Sequence, residues 1–106
     1  MANNISALIV GYGSIGKRHS RNLHSLGINN IYVCDPSDKS FKEASEERFI
    51  KGAFLNLDEA LKAVKFNIGI ICSPPYLHVE QSKKLLLSDL HVFIEKPHIH
   101  DQQLQT

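Results

Sequence analysis

The sequence predicts an α/β domain: a doubly wound sheet of parallel strands with helices on both faces. Three observations predict it. Short apolar runs recur along the chain, and stretches with helical spacing separate them. The runs are mostly continuous rather than alternating, as strands covered on both faces require. Strands separated by helices pair in parallel through right-handed crossovers.

Residues 5–11 (ISALIVG) are apolar and β-branched, which predicts a buried strand. Residues 14–26 predict a helix, with Ile15, His19, Leu23 and Leu26 on one face and Gly27 as its stop. A second strand spans 31–34 (IYVC), closed by Asp35-Pro36. A charged helix spans 40–49, and a short strand 53–55. Asn56 caps a helix over 57–64, with Glu59 in the capping-box position. A strand follows at 67–72 (NIGIIC), weakened by Gly69. Pro74-Pro75 breaks the pattern, a helix covers 76–87, and residues 91–94 (HVFI) form the last strand. This alternation predicts the strand order 3-2-1-4-5. The tail from His98 to Thr106 is polar, and a sixth strand is expected to be absent from the chain.

The 106 residues fit one domain, 1–106, with room for one core. A net charge of +1 provides no field to recruit nucleic acid or anionic lipid. The basic stretch Lys17, Arg18 and Arg21 has no interleaved aromatics, which also argues against nucleic acid. The N-terminus has no signal-peptide pattern and no span is long enough for a membrane, so a cytoplasmic protein is expected. Cys34 and Cys72 each follow an apolar run and are read as reduced thiols at strand ends. His91, His98 and His100 cluster near the end, but they lack the further ligands a metal site needs.

The strongest chemical signal is Gly11-Tyr12-Gly13-Ser14-Ile15-Gly16, a G-x-G-x-x-G run between a predicted strand and a predicted helix. Gly11 permits the tight turn, Gly13 lets a pyrophosphate approach the backbone, and Gly16 lets the helix sit close to the strand. The N–H groups of the helix start then face the phosphates. Asp35 lies 19 residues after Gly16, at the end of the second strand. A carboxylate there accepts hydrogen bonds from ribose hydroxyls and repels a 2′-phosphate, which favours NAD over NADP. No arginine follows Asp35, although Lys39 is near. Together these features predict the Rossmann fold. FAD uses the same fingerprint, but the short chain has no room for a flavin domain. Lys96, after the last predicted strand, lies where open α/β sheets bind ligands. An ammonium there can orient a hydroxyl and stabilise developing alkoxide charge.

Three stretches resemble the glucose–fructose oxidoreductase and inositol dehydrogenase family, Gfo/Idh/MocA. They are GYGSIGKRHSRNL (11–23), CSPPYLHVE (72–80) and EKP (95–97). The likeness covers nearly the whole chain and matches the family's N-terminal domain. The resemblance implies that Gly11, Gly13 and Gly16 hold the pyrophosphate, with backbone donors from Ser14 and Ile15, and that Asp35 holds the adenosine ribose. It implies that Ser73, Pro74 and His78 line the nicotinamide side, with Glu95 and Lys96 below the ring and Lys96 reaching the reacting hydroxyl. It also places Pro97 in a special turn. Asn67 departs from the family, which often has an aspartate there. For the intact parent protein the resemblance implies hydride transfer between NAD(H) and a secondary alcohol or ketone of a sugar or cyclitol. The family's second domain supplies the substrate pocket and acid–base histidine, so this chain is expected to bind the nicotinamide dinucleotide with little or no turnover. The alternative is a stand-alone nucleotide-binding or regulatory module. The oligomeric state stays open, a homo-oligomer included.

Overall fold

The first apolar run becomes the central strand because it is the most uniformly apolar segment and pairs on both sides. The computed structural model describes residues 4–95. The strands are β1 (Ser6–Val10), β2 (Asn30–Cys34), β3 (Ile50–Phe54), β4 (Ile68–Ile71) and β5 (His91–Ile94). The helices are α1 (Ser14–Ser25), α2 (Asp38–Glu46), α3 (Leu57–Ala63) and α4 (His78–Leu87). A short 3₁₀ turn, Pro75–Leu77, leads into α4. The strands form one sheet in the order β3-β2-β1-β4-β5, and each pairing is parallel.

The sheet separates two apolar layers, as the doubly wound pattern requires. Leu8, Val10, Cys34 and Ile71 pack with Ala60 of α3 and Leu85 of α4. Ile9, Ile31, Val33 and Ile70 pack on the other face with Ala44 of α2, and Leu23 of α1 lies against them. Successive strand residues point to opposite faces, so β1 feeds both layers. The register levels the carboxyl ends. Val10 is opposite both Cys34 and Ile71, Cys34 is opposite Phe54, and Ile71 is opposite Ile94. The residues leaving the strands therefore form a row across one edge: Leu55, Asp35, Gly11, Cys72 and Glu95.

Several expectations are corrected in detail. β3 spans Ile50–Phe54 rather than 53–55. Lys51 and Gly52 are poor strand formers alone. Here Lys51 Nζ donates to Asn30 Oδ1 at 2.8 Å, and a Cβ on Gly52 would meet the Tyr32 ring at 3.1 Å. Cross-strand packing overrides local propensity. α2 covers Asp38–Glu46 rather than 40–49. The Ser37 hydroxyl accepts from Ser40 N–H and starts the helix early, and Phe49 leaves it to stack on His24 with ring centroids 4.6 Å apart. α1 buries Gly16 and Ser20, while Ile15 and His19 are only half-buried and Leu26 is exposed. Small residues face the sheet there, so helix and sheet approach closely and the expected stripe turns by one position. Gly27 has φ +94°, and Gly27 N–H and Ile28 N–H donate to the carbonyls of His24 and Leu23. This closes α1 as a Schellman turn.

Gly69 and Asn67 each have a local role in the fold. A Cβ on Gly69 would lie 2.8 Å from the Leu85 side chain, so the missing side chain makes room for a fully buried leucine. Asn67 Oδ1 accepts from Ser6 N–H at 2.7 Å. The expectation that strands are covered on both faces fails at β5, where Phe93 and Ile94 are exposed. Of the three consecutive leucines in α4, Leu85 is buried while Leu86 and Leu87 are exposed.

Candidate cofactor site

The turn after β1 is held from both sides. Gly11 has φ +99°, a region costly for residues with a Cβ. Its N–H donates to Cys34 carbonyl at 2.8 Å, and an added Cβ would lie 2.9 Å from Ser73 N. Gly16 sits directly beneath: its Cβ would lie 2.0 Å from the Gly11 carbonyl oxygen. Both glycines are therefore demanded by the fold itself. Gly13 differs. Its φ is −80°, and a Cβ there would meet no heavy atom within 4 Å. Among the described residues nothing packs where its side chain would be, so the backbone at the helix start is left open to approach.

The helix start is suited to an anion. No side chain caps α1 at Gly13, and its first turn contains no acidic residue. By contrast, Ser37 caps α2 and Asn56 caps α3, with Asp38, Asp58 and Glu59 in their first turns. The first N–H groups of a helix lack intrahelical acceptors and carry the positive end of its dipole. In α1 that end has no carboxylate to answer it. Ser14 and Ile15 stand in this turn, exposed and half-buried respectively.

Asp35 is fixed by the chain itself. Its Oδ2 accepts from Tyr12 N–H at 2.7 Å and its Oδ1 from Ser37 N–H at 2.9 Å. The carboxylate thus ties the glycine loop to the turn after β2. Sequence reasoning assigned Asp35 a ligand role but missed this second task, because Tyr12 N–H has no side-chain signature. The Tyr12 side chain adds a second anchor, being only 3% exposed within the layer under α1 and α2. Burial pushes its hydroxyl above the usual tyrosine range.

A cleft of about 560 Å³ opens at this edge. Of the residues singled out from sequence, Gly11, Gly13, Asp35, Ser73 and Pro74 line it. Cys34, Cys72, Leu55 and Tyr76 line it too, and these were not read as site residues. Gly16 supports the cleft from below. His78 lies outside the lining, with its Nε2–H donating to the Ser73 carbonyl at 2.7 Å. Ser73 Oγ donates to Gln81 Oε1, so the β4 exit is tied twice to α4. Glu95 stands at the far end of the edge, bound to His19. Lys96 and Pro97 lie outside the described residues.

Both cysteines are free. Burial pushes the Cys34 and Cys72 thiols each up to about 12. Burial therefore favours the protonated thiol at both positions. Among the described residues, no group of three His, Cys, Asp or Glu could hold a metal ion, and no helix is long and apolar enough to cross a membrane.

The open space around Gly13 yields a sharp expectation. Gly13→Ala should cost no more than about 1 kcal/mol, the difference between glycine and alanine as a helix N-cap. Binding of a dinucleotide should fall at least roughly tenfold, equivalent to 1.4 kcal/mol. Thermal unfolding with titration calorimetry checks both, and an alanine variant that binds normally would remove the argument for Gly13.

Residues 5–105 match the model of an oxidoreductase family with an NAD-binding Rossmann fold, GFO_IDH_MocA. The chain belongs to this family. The Gfo/Idh/MocA domain here is similar to inositol 2-dehydrogenase of Renibacterium salmoninarum, at 30% identity over 95 residues, 88% of this chain and 28% of that protein. Among solved structures it resembles myo-inositol 2-dehydrogenase from Lactobacillus plantarum, with a TM-score of 0.78 and 25% identity over 88% of this chain and 28% of that one. It also resembles scyllo-inositol dehydrogenase from Lactobacillus casei with bound NAD(H) and scyllo-inositol, with a TM-score of 0.74 and 27% identity over the same shares. The chain spans about 28% of the length of these relatives. The match confirms the Gfo/Idh/MocA resemblance carried by the glycine loop, the β4 exit and the EKP run. The chain is an NAD-binding oxidoreductase domain of that family.

Proposed function

We propose that this domain holds NAD in preference to NADP, within an oxidoreductase that moves hydride to or from a secondary alcohol or ketone of a sugar or cyclitol. The observation that carries the reading is the pairing of an uncapped α1, open at Gly13, with a carboxylate already fixed at Asp35. The α1 start with Ser14 and Ile15 binds the pyrophosphate. Asp35 keeps lone pairs for ribose hydroxyls, and its charge opposes a 2′-phosphate. Ser73 and Pro74 shape the wall beyond the glycine loop. The bound nicotinamide would supply the hydride acceptor or donor. Lys96, the residue after Glu95, orients the reacting hydroxyl and stabilises alkoxide charge. The relatives' names support a polyol substrate, since all three are inositol dehydrogenases. Substrate binding and the acid–base group belong to a further domain, so these 106 residues bind cofactor with little or no turnover, and in the cytoplasm.

Thermal unfolding with NAD, NADH and NADP in parallel tests the reading. A ligand at about 100 times its Kd stabilises a fold by roughly 2.7 kcal/mol. In a domain of this size the midpoint should rise by roughly 10 °C or more with NAD or NADH. NADP should give a much smaller shift. Equal shifts with NADP would overturn the role given to the Asp35 charge, and no shift with any of the three would overturn cofactor binding by this chain.

A further inference from the structure

We propose that His19 is a positioning residue for the nicotinamide end of the cleft, acting through Glu95; this rests on the cofactor reading above. The two residues are 76 positions apart, yet His19 Nε2 and Glu95 Oε1 are in direct hydrogen-bond contact. An ionised carboxylate only accepts, so the proton of this bond is on Nε2. Arg18 Nη2 lies 3.8 Å from the same Oε1. Both residues of the pair are only 27% exposed in their side chains, which shields the contact from water.

The level strand ends give the pair its meaning. Asp35 leaves β2 and Glu95 leaves β5, with Gly11 and Cys72 between them. Neighbouring strands are about 4.8 Å apart, so Asp35 and Glu95 are roughly 14 Å from each other along the row. A dinucleotide with its adenosine ribose on Asp35 and its pyrophosphate on α1 must extend its other end over β4 and β5. There the edge of β5 is held twice. Glu95 N–H donates to Ile71 carbonyl at 2.9 Å, and the Glu95 carboxylate is bound from α1. Burial first, and then the Glu95 carboxylate, raise the thiol pKa of Cys72, which lines the cleft. The helix that presents its start to the pyrophosphate thus also fixes, from its second turn, the carboxylate at the opposite end of the site. His19 couples the two ends of the cofactor site through one rigid element.

The test compares NAD with ADP-ribose, which lacks only the nicotinamide, by titration calorimetry on the 106-residue chain. His19→Leu should weaken NAD roughly tenfold while ADP-ribose stays within about twofold of wild type. His19→Gln, whose amide N–H can reach the same acceptor, should recover most of the NAD affinity. Glu95→Ala should reproduce the His19→Leu split, and it serves in place of His19→Leu if that variant does not fold. Equal loss for both ligands would reduce the pair to a structural prop and overturn the proposal. Unchanged NAD affinity in His19→Leu and Glu95→Ala would overturn it as well. A wild-type chain that binds neither ligand would overturn the cofactor reading and this inference together, an outcome distinct from the others.

Discussion

Gly16→Ala is expected to lower the unfolding midpoint by about 12–24 °C, from a loss of about 3 kcal/mol at 4–8 °C per kcal/mol. Two effects oppose each other. Alanine is the better helix former by roughly 1 kcal/mol, and α1 would gain that. Against it, the new Cβ would lie 2.0 Å from the Gly11 carbonyl oxygen and 3.3 Å from an Ile9 methyl. The carbonyl cannot step aside as a flexible side-chain end could. Gly11 is pinned by its N–H bond to Cys34 and by Ser73 against its Cα. Relief requires lifting α1 from the sheet, which exposes the layer around Ile9 and Ile70. The clash should therefore exceed the propensity gain, and cofactor binding should disappear with the geometry of the loop. Calorimetric or circular-dichroism melting decides the matter. A midpoint equal to or above wild type would mean that helix and strand separate more cheaply than their spacing implies.

Asp35→Ala should remove cofactor binding and also destabilise the chain without ligand, by about 1.5–3 kcal/mol from its hydrogen bonds to charged oxygen. The stability loss separates this expectation from the usual view of an acid that only contacts ribose. Tyr12 N–H and Ser37 N–H would both lose their acceptor. Asp35→Asn is the informative companion. Its single carbonyl oxygen can retain one of the two bonds, so its midpoint should fall between alanine and wild type. Removing the charge also removes repulsion of a 2′-phosphate. NADP should nevertheless gain little in Asp35→Ala, because the loop that binds the pyrophosphate has lost its tie to β2. Melting curves of the three proteins, each with and without NAD and NADP, check this. An alanine variant as stable as wild type would show that the tie contributes nothing.

The features legible in the sequence were those with a local signature. The strand order follows from alternation of apolar runs with helices, and Asn56 reads as a cap because its side chain bonds Glu59 N–H three residues on. The glycine loop reads as a loop because three glycines stand at fixed spacing. What was not legible depends on partners distant in sequence. Ile50 and Lys51 join β3 only because β2 is beside them. The buried face of α1 turned because Gly16 and Ser20 permit a close approach, whereas a hydrophobicity pattern scores them as neutral. Tyr12 reads only as a loop position until Ala44 of α2 packs in the same layer. The His19–Glu95 pair and the Tyr12–Asp35 tie span crossovers whose end points no periodicity reports.

The central position of β1 has a consequence for the order in which the molecule can be completed during synthesis. The glycine loop leaves a ribosome about sixty residues before Ser73, which forms one of its walls. At roughly 5–20 residues per second, the loop waits some 3–12 s for that wall. β2 follows about twenty residues after the loop, but β4 is still missing until the end of that interval, and Gly11 lacks Ser73 beside its turn. The loop therefore gains its second wall only once the chain through Ser73 has been made. A ligand that needs both walls of the loop would thus meet a surface assembled from segments made seconds apart.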